Sequence, residues 1–131
     1  MSVDILALMD ALSKWRPIFH SEADFQHAFA WQLHKFVPGV NVRLEFKPLS
    51  EERIYLDIWI PTHRIAIELK FLTRGLSVEW MGELFSLRNQ GAQDIRRYDF
   101  LRDIQRLERV LTLPNPASEA YALCLTNDAA Y

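Results

Sequence analysis

A single cysteine, Cys124, set in an apolar run, excludes an intrachain disulfide and a cysteine-built zinc site. That scarcity suits a reducing compartment. No apolar stretch approaches the roughly 20 residues of a membrane span, and the N-terminus lacks a secretory leader's basic-then-apolar order. A cytoplasmic protein with no membrane partner is therefore expected. A basic excess is missing too: the formal net charge is −2, which counts modestly against a nucleic-acid partner. It does not exclude one, because a catalytic cluster of acids lowers the total while a local basic surface can still meet phosphates. Repeats and low-complexity segments are also absent.

What remains is a globular composition, 50% hydrophobic and 24% charged, in 131 residues. That length fits one domain and buries roughly two-thirds of its unfolded surface. Phe19, Phe25, Phe29, Trp31, Phe36, Trp59, Trp80 and Phe85 are available for its core. Residues 3–13 read as a short amphipathic helix that ends before Pro17. A second helix begins near Ser21, with Ser21 as N-cap and acids in the first turn, and stops at Pro38-Gly39. Its apolar positions Phe25, Phe29, Leu33 and Phe36 recur at helical spacing. Val40 to Phe46 alternates as a strand, and Pro48–Glu52 is a loop.

Tyr55 to Phe71 is the informative segment, because both of its arms alternate with period 2 around the turn Pro61-Thr62-His63-Arg64. The register implied is Ile60 with Ile65, Trp59 with Ala66, Ile58 with Ile67, and Asp57 with Glu68. One face is then Leu56, Ile58, Ile60, Ile65, Ile67, Leu69 and Phe71, all core. The other carries Tyr55, Asp57, Trp59, Arg64, Ala66, Glu68 and Lys70. Like charges opposite each other on a sheet cost roughly 0.2–1 kcal/mol, and more when partly buried. A divalent cation between the two carboxylates is the leading way to keep such a pair.

Beyond the hairpin, Leu72 to Gly91 is irregular, and Trp80–Phe85 fits a helical turn or a flap. Gln93 to Leu111 predicts a helix with Ile95, Tyr98, Leu101, Ile104, Leu107 and Leu111 on one stripe. Ala120 to Thr126 predicts a strand too continuously apolar for an edge. The order helix, helix, strand, strand, strand, helix, strand implies α/β or α+β layers over one sheet. Asn127 to Tyr131 reads as the start of a further element, so a final helix missing from the sequence, or supplied by a neighbouring subunit, is expected.

Asp57 together with Glu68-Leu69-Lys70 resembles the PD-(D/E)xK nuclease superfamily, whose motif is an acid on the second core strand and acid-x-Lys on the third. The resemblance covers most of the chain, about 21–126, with 1–20 as an N-terminal helical extension of a single domain. It implies the restriction endonuclease-like αβββαβ core, an α/β fold whose central mixed sheet is flanked by helices. Leu56 stands where the motif has proline, which weakens the match of the text but not of the geometry. The resemblance further implies a DNA endonuclease dependent on Mg²⁺ or Mn²⁺. Asp57, Glu68 and the carbonyl of Leu69 would hold the metal, Lys70 would position or activate the attacking water, and Glu22 would complete the acids. Gln90 and Gln93 fall where some subfamilies approach the metal site.

As a bare string, D-x10-E-x-K is weak. What raises it is the placement of both acids on one strand face, opposite an apolar one, with flanking elements in the right order. The bland alternatives are concrete: Asp57 and Glu68 as polar residues of a half-exposed sheet, Lys70 as their salt-bridging neighbour, and Glu22 as a first-turn acid favoured by the helix dipole. Glu45 stays open as a substitute for Glu22. His20, just before Glu22, is the one histidine near the site. The arginines and acids between Arg88 and Arg109 read mainly as an ion-paired, solvated helix face, with Arg97 and Arg102 as candidate phosphate contacts. Trp80 and Phe85 read as core or flap packing. A homodimer or a larger assembly is expected to supply the DNA-binding surface. The competing function is a catalytically silent module of the same fold, with a DNA-binding or structural role, and a third is hydrolysis of another phosphate ester.

Overall fold

The structure is a computed structural model and describes residues 3–49 and 54–131. Of the loop expected over Pro48–Glu52, residues 50–52 lie outside the described residues. The described chain is α/β. Three helices, α1 (Ile5–Trp15), α2 (Glu22–Phe36) and α3 (Gln93–Leu111), flank a four-stranded mixed sheet of β1 (Arg43–Phe46), β2 (Leu56–Ile60), β3 (Ile65–Leu72) and β6 (Glu119–Thr126). A smaller sheet, β4 (Leu76–Trp80) with β5 (Glu83–Leu87), projects between β3 and α3. No described helix is long and apolar enough to cross a membrane.

The hairpin forms as its alternation dictates. Ile60 faces Ile65, Trp59 faces Ala66 and Ile58 faces Ile67, and the amide of Arg64 closes the turn on the carbonyl of Pro61 at 3.2 Å. Arg64 takes φ 55°, which aims its guanidinium at the carbonyl of Pro116. Its own carbonyl accepts from the amide of Ser118 at 2.8 Å, so the turn anchors the entry to β6.

α2 starts where the cap signal places it: the Ser21 hydroxyl accepts from the amide of Asp24 at 3.1 Å. The Asp24 carboxylate reaches back to the amide of His20 at 2.9 Å and pairs with Arg16 at 2.6 Å. Phe25, Phe29 and Leu33 are fully buried together with Ile58, Ile60, Ile65, Ile67, Leu69 and Phe71, with α1 stacked behind. Phe36 and Trp31, expected in the core, are exposed.

Four expectations are corrected. Leu56 does not share the face of Ile58; it packs with Trp59, Ala66, Leu107 and Val110 under α3. Glu45, opposite Asp57 in β1, has φ 51°, and a left-handed residue there breaks the alternation of the strand pair. The hairpin's second face is therefore covered by a helix rather than left half-exposed. On α3 the buried positions are Asp103, Leu107 and Val110, while Ile95, Tyr98 and Leu101 of the expected stripe are exposed. Finally, β6 lies at the sheet's edge, parallel to β3.

The irregular stretch between Leu72 and Gly91 is the β4–β5 arm, turned by Met81 and Gly82 in positive-φ conformations. Phe85 and Leu87 are buried at its base, whereas Trp80 stays exposed and joins no core.

Candidate active site

β2 and β3 pair closely next to their turn, but the ladder's matched pairs stop at Ile58 with Ile67. One step further the expected facing of Asp57 and Glu68 gives way to a fork. The Asp57 side chain accepts the amide of Leu69 at 2.7 Å, and its main-chain carbonyl accepts from the Gln26 side chain at 2.7 Å. Gln26 also donates to Glu45 at 3.1 Å, so one amide on α2 ties β1 and β2 together at the fork. No sequence signal marked Gln26, because a half-buried glutamine on a helix has no pattern of its own.

Within the fork the carboxyls of Asp57 and Glu68 lie near enough to share a hydrogen bond once one of them is protonated. Two carboxylates in contact hold one proton between them. Glu68, 4% exposed, keeps it: burial first, then the charge of Asp57 and the shared hydrogen bond, push its pKa up to about 9. Asp57 is raised as well. Burial is again the largest cause, opposed by the Leu69 amide and the bond to Glu68, with the charges of Glu45 and Asp103 adding to the rise. No protein donor reaches the buried Glu68 Oε1, so the proton shared with Asp57 is what this side chain has to offset its burial.

Glu22, the first residue of α2, reaches across to β3, where its carboxylate accepts the amide of Phe71 at 3.3 Å. The residue as a whole is exposed, but desolvation of its carboxyl against the sheet is the chief cause that raises its pKa. Asp57 adds to the rise, while the Phe71 amide and Lys70 pull it down. Glu22 is therefore electrostatically part of the cluster. Glu45 is exposed and joins it through Gln26 and through its charge on Asp57.

Lys70 does not stand free on the acidic face. Its ammonium pairs with Asp103 of α3 at 2.9 Å, and Asp103 also holds Arg106 at 2.9 Å. Burial would lower the Lys70 pKa, but the hydrogen bond and charge of Asp103, with Glu22 behind them, leave it raised. Lys70 is a permanent cation and takes no proton from water near neutral pH. Asp103 had been read as one charge of a solvated helix face, yet it is among the few buried charges. Only its three-dimensional partner reveals it.

Among the weaker candidates, Gln90 lies closest. Its side chain accepts the amide of Thr73 at 3.0 Å, and it lines a polar groove of about 290 Å³ with His20, Glu22, Thr73 and Arg88. His20 stacks on Phe85 with ring centroids 4.1 Å apart and pairs with Glu83, which ties the β4–β5 arm to the groove's rim. Gln93 instead bonds Asp128 at 3.2 Å, and Arg97 bonds the carbonyl of Ala130 and lies over the Tyr131 ring. Arg102 is exposed on α3.

The donors at the fork are oxygens, the carboxyls of Asp57 and Glu68, with the Glu22 carboxyl near enough to feel the charge of Asp57. Among the described residues no three His, Cys, Asp or Glu side chains converge closely enough to hold a metal ion by themselves. Magnesium asks for less, since one or two carboxylates suffice when water and substrate phosphate complete its shell. Two buried acids that must share a proton, with no protein donor on Glu68 Oε1, suit a position that a small hard cation would satisfy. No family model matches the chain, and no curated protein or solved structure is significantly similar to it.

Proposed function

We propose that this protein is a metal-dependent phosphodiester hydrolase acting on DNA, with a PD-(D/E)xK type of site in a restriction endonuclease-like arrangement. One observation carries the proposal: the acids Asp57 and Glu68 come together inside a fork of the sheet with no protein donor on the buried Glu68 Oε1, and Lys70 is held two residues away. The element order and the mixed sheet support the same reading.

Asp57, Glu68, the Leu69 carbonyl and Glu22 would hold Mg²⁺ or Mn²⁺. When bound, such an ion lowers the pKa of water and neutralises phosphate charge. The chain's own residues do the remaining work. The Leu69 amide orients the Asp57 carboxylate, Gln26 fixes the strand that carries it, and Asp103 keeps Lys70 charged and aimed. A lysine held as a cation stabilises the negative charge that builds on a phosphate under attack. It does not serve as the base. The groove beside Glu22, with Arg88 and Gln90 on its wall, gives the DNA strand a place to approach.

The test is a cleavage assay on supercoiled, linear, single-stranded and branched DNA with Mg²⁺ or Mn²⁺, with Asp57→Ala and Lys70→Ala as controls. Cutting by the wild type alone supports the proposal; identical behaviour of all three proteins on every substrate defeats it.

A second reading has its own support. Asp57 and Glu68 already satisfy each other through a proton, and Lys70 is committed to Asp103, as in a catalytically silent module that binds DNA or builds an assembly. A divalent-cation titration separates the two. No binding, with stability indifferent to metal and to Asp57→Asn, favours the silent module.

A further inference from the structure

β6 ends the four-stranded sheet, and among the described residues no strand pairs with its outer edge. Natural edge strands carry devices against further pairing, such as lysine, proline, a bulge or an inward charge. β6 has none of these. Its ladder to β3 runs unbroken through eight pairs from Glu119 to Thr126, and its only charge is Glu119 at the first position. Both flanks of the edge are hollow and largely apolar. On the α1 side a groove of about 380 Å³ is lined by Val3, Leu6, Tyr121 and Leu123. On the α3 side one of about 330 Å³ is lined by Leu72, Phe100, Leu101 and Cys124.

We infer that β6 is the seam of a two-fold homodimer, in which the β6 strands of two copies pair antiparallel and join their sheets into one. Symmetry and side-chain facing fix the register. A two-fold axis perpendicular to the sheet keeps each face on its own side, so it must pass through a residue and not between two. Tyr121, Leu123 and Leu125 pack toward α1 and α2, while Ala120 and Ala122 pack toward α3. An axis at Ala122 would set Glu119 against Leu125 and strand a carboxylate on an apolar side chain. An axis at Leu123 sets Tyr121 against Leu125, Ala122 against Cys124, and Glu119 against Asn127.

Charge selects the second copy as the occupant. The Glu119 end of the strand carries the acids Glu119 and Asp4 beside one cation, Arg64, whose carbonyl accepts the amide of Ser118. The other end carries Arg74, whose amide donates to Asn127 at 2.7 Å, and Arg97, bound to the carbonyl of Ala130, beside the acid Asp128. Antiparallel self-pairing brings the negative end of each copy to the positive end of the other. The exposed Leu6 and Leu101 line the two grooves beside the strand and supply apolar surface for a second copy to cover.

Facing residues of an antiparallel pair lie about 4.5–5.5 Å apart at Cα, within reach of a disulfide. Sedimentation of the full chain across a wide concentration range should show a dimer. Cys124→Lys, an exposed position, should abolish it with the circular dichroism unchanged. Ala122→Cys should give a covalent dimer on oxidation, through the native Cys124 of the second copy, and that product should vanish in Ala122→Cys/Cys124→Ser. A monomer at every concentration overturns the inference, as does a dimer that survives Cys124→Lys and yields no cross-link. None of these readouts depends on metal or DNA cleavage, so the seam stands or falls apart from the hydrolase proposal.

Discussion

Glu68 carries the largest imbalance in the molecule. Its side chain is buried against Asp57, and its pKa lies near 9 where an unfolded chain would give 4.5. Between those values the folded state holds a proton that the unfolded state has released, so Glu68's contribution to metal-free stability is greatest below about pH 4.5 and erodes as the pH rises toward 9. Melting temperature followed from pH 5 to 9 in a chelator should fall. In Glu68→Gln, which keeps a donor toward Asp57 and has nothing to titrate, the slope should flatten, and the protein at pH 8 should melt several degrees higher. A tenfold change in proton affinity is worth about 1.4 kcal/mol, so the gain should be easily measured. An unchanged slope would remove Glu68 as its source. Asp103 raises the complementary question, because it holds both Lys70 and Arg106. Asp103→Asn should cost about 1–3 kcal/mol in urea unfolding by leaving two cations poorly compensated. Lys70→Met with Asp103→Leu should recover much of it, since a desolvated ion pair gives little net stability over apolar packing. If the double variant is no better than Asp103→Asn, the pair is worth more than its desolvation.

At the scale of elements the fork between β2 and β3 is held open from α2. Gln26 replaces a ladder partner for the Asp57 carbonyl, so Gln26→Ala should destabilise by about 1 kcal/mol and lower any cleavage activity by more than that loss explains. A stability change without an activity change would mark Gln26 as structural only. The hairpin itself could be read from residues alone, because alternation and a four-residue turn leave one sensible register for Ile58 to Ile67. The same alternation extends one step to Asp57 facing Glu68, and there the matched pairs of the ladder stop. Three features could not be read that way. β6 reads as interior because an apolar run reports helices on both faces, which it has, and says nothing about hydrogen bonding at its edge. α3 offers two stripes, and the apolar one at Ile95, Tyr98 and Leu101 loses to one containing Asp103, since Lys70 on the sheet supplies that carboxylate's partner. The fork turns on Gln26 and the Leu69 amide taking the carbonyl and carboxylate of Asp57, and neither contact has a pattern in sequence.

For the molecule as a whole, proton and metal compete for one position, and their opposite signs give the sharpest test of what the chain does. Without metal, the fork's contribution to stability declines as the pH rises, because Glu68 is held protonated there. A cation that binds the folded state adds RT ln(1 + [L]/Kd) to stability, and it binds only as fast as that proton is given up. The rise in melting temperature produced by 10 mM Mg²⁺, an amount of about a few degrees if Kd is near a tenth of that concentration, should therefore be small at pH 6 and grow toward pH 9. Asp57→Asn should abolish it, and Glu68→Gln should make it both small and independent of pH. Scanning fluorimetry across that grid of pH and metal is decisive in either direction. A metal effect that is flat with pH in the wild type would place the ion somewhere other than the fork. No metal effect at any pH would leave the fork with its shared proton as the finished state, the condition of a module that builds or binds without cutting.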